Sequence, residues 1–204
     1  MGTFYYRLVS INTILVLFLM NSCISNPVEQ LVLLEDAHNS HDIERCLNIY
    51  TNDARFVLVD GWVAEGKDKL RERFEWDFAM QGSLQFADCK VIKDTVVCKV
   101  EERNDFFYLL GIESVNYEYS KFIFEHGLIK EVQAKVSQQS IETIDNAMSE
   151  FMLWASSERI LELDELLADG DLVFSADKAE KWIILLQTYA TEKMLEETNP
   201  TGEK

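Results

Sequence analysis

The sequence is short of positive charge. Nineteen Lys and Arg stand against 36 Asp and Glu, a formal charge of −17. A surface this acidic repels phosphate backbones, which argues against nucleic acid as a partner, and its ordinary use is solubility. Two prolines and eight glycines leave little room for long flexible linkers. There is no internal repeat, no low-complexity tract, no phosphate loop, no nucleophile elbow, no HExxH and no CxxC. No cofactor and no metal site is therefore implied. Of the three histidines, His38 and His41 sit at a helix junction without a carboxylate or cysteine at ligand spacing, and they read as solvated turn residues. What is present is 204 residues that are 48% hydrophobic. That is enough for one domain of ordinary size with an appendage.

The only long apolar run comes first. Arg7 precedes a stretch from Leu8 to Met20, too short for a comfortable transmembrane helix and suited to a signal peptide spanning residues 1–22. The run ends at Asn21-Ser22-Cys23, which resembles a bacterial lipoprotein signal: Ser22 is the small residue and Cys23 the lipid acceptor. Asn21 departs from the usual pattern. Ordinary cleavage with a free Cys23, or an uncleaved anchor, are the alternatives. Lipidation would make residues 23–27 a linker and hold the protein at a bacterial membrane, on the periplasmic or cell-surface side.

Helical spacing follows. Val28, Leu31, Val32, Leu34 and Ala37 form one stripe, and Asp42 caps a second helix carrying Ile43, Cys46, Leu47 and Tyr50. Arg55 to Val59 is a strand, Asp60-Gly61 a two-residue turn, and Trp62 to Glu65 the return. A third helix runs from Lys67 to about Met80, with Gly82 placed for a left-handed cap. Four strands follow over Leu84–Ile92, Thr95 to about Leu110, Ser114–Glu125 and Leu128–Val136. Tyr117 and Tyr119 share one face of their strand, Phe122 and Phe124 the other.

A turn at Lys93-Asp94 sets Cys89 opposite Cys98 at a close pair, within reach of a disulfide. The same cysteines share a face with Val91, Val96 and Val100, so two buried thiols are the rival reading. Beyond Ile141 the period is helical again, in stripes containing Phe151, Ala155, Trp182, Leu186 and Tyr189. The order of elements argues for an α+β fold: a cone-shaped, curved antiparallel sheet wrapped on N-terminal helices, with extra C-terminal helices.

Several local signatures resemble the nuclear-transport-factor-2-like superfamily in its SnoaL-like branch. They are Asp42-Ile43-Glu44, Tyr50 to Phe56, Gly66 to Arg71, Asp94 to Val97, and Phe122 to Glu131. The resemblance places the SnoaL-like domain at residues 28–137; outside it, the helical period gives an extension at 138–197, and the polar end at 198–204 reads as a disordered tail. It implies a pocket at the open end of the cone. Trp62, Tyr117, Tyr119 and Phe106 flank that pocket and are the candidate ligand-binding residues, against core packing as the alternative. Asp105, Glu102 and Glu118 are the carboxylates that could enter it. Their spacing demands no acid–base role, and no catalytic residue is assigned. The expected function is non-catalytic binding of a small apolar ligand or a protein partner. The rivals are a cofactor-free lyase or isomerase with a pocket carboxylate and tyrosine, and a structural homodimer.

Overall fold

A computed structural model describes residues 26–168 and 171–198. The signal peptide, Cys23 and residues 199–204 of the expected tail lie outside them. The chain opens with α1 (Pro27–Asn39) and α2 (Ile43–Asn48), each capped by a side chain. Asn26 accepts from the Val28 amide and Asp42 from the Arg45 amide, satisfying first-turn donors that have no intrahelical partner. Then come β1 (Tyr50–Leu58), β2 (Val63–Glu65) and α3 (Gly66–Ala79). The rest of the cone is β3 (Ser83–Ile92), β4 (Thr95–Arg103), α4 (Asp105–Leu109), β5 (Val115–Glu125) and β6 (Leu128–Val136). The extension is α5 (Gln138–Glu158), α6 (Ile160–Leu166), β7 (Leu167–Ala168), β8 (Asp171–Leu172) and α7 (Ala176–Thr198).

The six-stranded sheet has the order β2-β1-β6-β5-β4-β3. Its neighbours are antiparallel except β1 and β6, which run parallel with Phe56 opposite Val132. The inner face meets α1, α2 and α3 in a core built on Leu31, Leu34, Leu47, Leu70, Phe74, Val96, Phe122, Ile129 and Val132.

A second core lies on the other side of α3. There Trp76 and Met80 pack with Phe106, Phe151, Ala155, Leu163, Trp182 and Leu186. The helix thus buries two faces, with Leu70, Phe74 and Phe78 toward the cone and Trp76 and Met80 toward the extension.

Four local expectations are corrected. The β1–β2 loop is wider than a two-residue turn, because the Leu58 amide bonds the Trp62 carbonyl and only Asp60 (φ 63°) is left-handed there. Gln81, at φ 54°, takes the left-handed position after α3. Gly82 serves close approach instead: its amide bonds the Asp77 carbonyl at 2.7 Å, and a Cβ there would fall 2.8 Å from that oxygen. The strand expected to reach Leu110 stops at Arg103, because Asn104 accepts from the Phe107 amide and starts α4.

The fourth concerns β5. Tyr117 faces Val136 and Tyr119 faces Lys135 on one side, while on the other Glu101 faces Asn116 and Cys98 faces Ser120. Both registers carry one extra β5 residue, so a bulge sits at Glu118. It breaks the alternation and puts Tyr117 on the inner side with Ser120 and Phe122, away from Tyr119.

The β3–β4 hairpin has a related irregularity. Ile92, Val91 and Lys90 pair with Thr95, Val96 and Val97, and then the register shifts, with Asp88 at φ 52°. The Cys89 and Cys98 sulfurs lie at bonding distance, 2.02 Å, with their Cα atoms 4.1 Å apart. Cys46 is a buried free thiol whose pKa burial, seconded by the charge of Asp42, pushes up to about 12.

Candidate functional site in the cone

The inner core leaves a cavity of about 70 Å³. Its walls are apolar, from Leu34 of α1, Leu70 and Phe74 of α3, Phe56 of β1, and Phe86, Val100, Phe122 and Val132 of the sheet. Its polar end gathers His38, Arg73, Asp77, Glu102, Tyr117 and Ser120. Each arrives by ordinary local structure. His38 continues the buried stripe of α1 one turn past Leu34. Arg73 and Asp77 are an i,i+4 pair on α3, beside Phe74 and Phe78. Glu102 continues the inward alternation of Val96, Cys98 and Val100 on β4. The bulge at Glu118 turns Tyr117 toward it.

The Tyr117 hydroxyl donates to Glu102 Oε2 at 2.6 Å, and Asn104 Nδ2 donates to Oε1 at 2.9 Å. Arg73 Nη2 lies 3.0 Å from Asp77 Oδ1 as an ion pair without hydrogen-bond alignment, and His38 Nε2 lies 3.9 Å from Oδ2. The His38 ring is 3% exposed, edge-on to Phe78, and its Nδ1 has no hydrogen-bond partner among the described residues. Such an atom carries a desolvation cost unless something in the cavity meets it.

Burial raises the pKa of Glu102, and the charge of Asp77 raises it further. Arg73, the Tyr117 hydrogen bond and His38 oppose the rise without cancelling it. The Tyr117 phenol is pushed well up by burial and by Glu102. A carboxyl biased toward its protonated form beside a phenol offers hydrogen bonds to a neutral oxygen or to one gaining negative charge. Among the described residues no group of three or more His, Cys, Asp or Glu is arranged to hold a metal.

Trp62 and Arg73 also line a cleft of about 300 Å³ on the outer side, with Val63, Ala64, Lys69, Glu72, Val173 and Phe174. They are the wall between cavity and cleft. Phe174, from the segment before α7, closes on that wall. Its ring centre is 5.4 Å from Trp62 and 5.3 Å from Trp76, and the Arg73 guanidinium lies 4.7 Å from its centre.

Of the residues singled out in the sequence, Trp62, Tyr117 and Glu102 line the cavity. Three do not. Tyr119 lies beyond the bulge, with the Lys121 ammonium 4.4 Å from its ring centre. Phe106 packs in the second core, 5.6 Å from Trp182. Glu118 pairs with Lys135 on the surface. Asp105 starts α4, its amide bonding the Met80 carbonyl. His38 is a buried cavity residue and not the solvated turn residue expected. His41 stacks on Phe78 at 4.9 Å, with its Nε2 3.1 Å from the Gly82 carbonyl. Arg73, Asp77 and Phe174 join the site only through the fold; the sequence offers no more than an Arg–Asp pair at i,i+4 interleaved with Phe74 and Phe78.

No protein-family model and no curated protein sequence matches this chain. Solved structures do. The epoxide hydrolase/cyclase-like enzyme SalBIII, of pyran ring formation in polyether salinomycin, is 16% identical with a TM-score of 0.50. That likeness covers 56% of this chain and 92% of the enzyme. An uncharacterized cystatin fold protein from Novosphingobium aromaticivorans is 19% identical over 54% of this chain and 97% of its own, with a TM-score of 0.47. An NTF2-like protein of unknown function from Cytophaga hutchinsonii is 10% identical over 57% and 95%, also at 0.47. Identities this low speak to the fold alone: SalBIII shares the α+β cone of a curved sheet over helices.

Proposed function

We propose that this protein is an exported domain, anchored to a membrane through Cys23, whose cone binds a small, mainly apolar molecule bearing one polar group. The observation that carries this reading is the cavity itself. Aromatic and aliphatic walls converge on Glu102, Tyr117 and the unpartnered Nδ1 of His38. Apolar burial would supply affinity and the polar end orientation. The outer sheet face is laced with the pairs Arg55–Glu131, Lys99–Asp88 and Lys135–Glu118. That solvated pattern favours a ligand in the cone over a dimer made through the sheet.

A second reading is cofactor-free acid–base chemistry, as in a lyase or isomerase. The raised pKa of Glu102 favours it, since a carboxyl protonated nearer neutrality can pass a proton that an ordinary one has already lost. Tyr117 would steady the oxygen on which charge develops. The likeness to SalBIII, an epoxide hydrolase/cyclase-like enzyme, is compatible with either reading.

Native mass spectrometry of the full-length protein from its own membranes tests both parts. Acyl mass at the N-terminus supports the anchor, and Cys23→Ala should release the protein; retention on membranes would contradict lipidation. A non-covalent mass lost on denaturation supports ligand binding. A bare species at twice the monomer mass would point to the homodimer instead.

A further inference from the structure

The cavity holds about 70 Å³, whereas sites for drug-sized ligands run to roughly 300–1,000 Å³. A ligand of useful size therefore needs the chamber to grow. Most of its walls cannot give way, because Leu34, Leu70, Phe74, Phe122 and Val132 belong to the packed inner core. The wall made by Trp62 and Arg73 is different. Trp62 is half-buried on the loop between β1 and β2, and the cleft beyond it already measures about 300 Å³. On the inner side Trp62 stacks on Phe56, 5.1 Å between ring centres, and on the cleft side the wall is covered by one side chain of the extension, Phe174.

Phe174 sits there as a guest would. It is a flat ring between two indoles, tilted to Trp62 and edge-on to Trp76, with a guanidinium over its face. Offset or edge-on aromatic neighbours and a cation over the face are contacts that favour a planar aromatic ring at this position. Arg73 ties the cage to the interior: its guanidinium also lies 4.9 Å from the Trp62 ring centre, and its Nη2 pairs with Asp77 at the polar end. A guest in the cage would thus touch the group that neutralises Asp77.

We propose that Trp62, Trp76 and Arg73 form a binding site for a planar aromatic ring, and that Phe174 is a built-in competitor occupying it. The inference rests on the reading of the cone as a ligand chamber and adds the class of ligand and the residue that must leave. Ligand and Phe174 exclude each other, so measured affinity is reduced by the fraction of time that Phe174 is docked.

The test is calorimetric titration with 2-naphthol, a planar ring with one hydroxyl, against wild type, Phe174→Ala and Phe174→Leu. Each is checked for folding by circular dichroism. The expected result is roughly tenfold tighter binding by Phe174→Ala, an intermediate value for Phe174→Leu, and loss of the gain when Trp62→Ala is added. Equal affinity in wild type and both Phe174 variants overturns the competitor, and so does absence of binding in all three. Glu102→Gln separates the two claims. If it weakens a binding that Phe174 does not affect, the cone reading survives and the competitor fails. If the Phe174 gain persists but ignores Glu102, the cage stands and the polar end is not part of it. Should Phe174→Ala not fold, Phe174→Leu carries the comparison alone.

Discussion

The Tyr117 hydroxyl donates to the Glu102 carboxyl at 2.6 Å, between two strands whose regular alternation alone would not have made them meet. The extra residue at Glu118 creates the contact. It gives the cone a polar end inside an otherwise apolar wall.

Stability should carry the signature of Glu102. Its folded pKa lies above the ordinary 4.5, chiefly through burial. Above that pH the unfolded chain has released a proton that the folded one still holds. Stability therefore falls as pH rises from there through the raised folded value. Glu102→Gln should lack this component. Urea unfolding of both proteins from about pH 4 to about pH 8 measures it, and parallel curves would refute it.

Tyr117→Phe removes one of the two hydrogen bonds that Glu102 receives. The expected cost is about 1–3 kcal/mol, because a buried carboxyl oxygen is left without its partner. The Tyr117 bond works against the pKa rise, so its loss should also make Glu102 hold its proton to higher pH. The Glu102-dependent slope should then shift upward in pH in the same unfolding series.

Trp182 is fully buried where the extension meets α3, against Phe106 and Phe151. Trp182→Ala should cost about 3–5 kcal/mol by chemical denaturation. Unfolding of the extension separately from the sheet would show as two transitions. A single transition displaced to lower denaturant would show that the two cores melt together.

Cys89 and Cys98 are nine residues apart, and their linkage closes a short loop. Replacing both with serine should cost about 2–3 kcal/mol on chain-entropy grounds. Intact mass before and after reduction shows whether the purified protein carries the bond: it gains two hydrogens if so and none if the pair are free thiols.

Much of this architecture is written in local patterns. The stripe of α1, the Asp42 cap and the α3 face of Leu70, Phe74 and Phe78 are matters of period and capping, which a sequence displays directly. The site was less legible, for reasons that can be named. Strict alternation groups Tyr117 with Tyr119; the bulge that separates them depends on pairing with two neighbouring strands at once. Arg73 and Asp77 look like a surface pair at i,i+4, and only the packing of α3 between two cores draws them inside. Phe174 reaches Trp62 from a distant segment, which no local period foretells.

The parallel pairing of β1 with β6 sets an order of events. β1 is made early, yet one of its two edges stays open until the last strand of the cone exists. A ribosome making this chain holds a half-finished sheet with a bare edge for most of the cone's synthesis, and that edge can recruit any passing strand. Chains cut short after β5 should accordingly aggregate, whereas those ending after β6 have at least closed the seam.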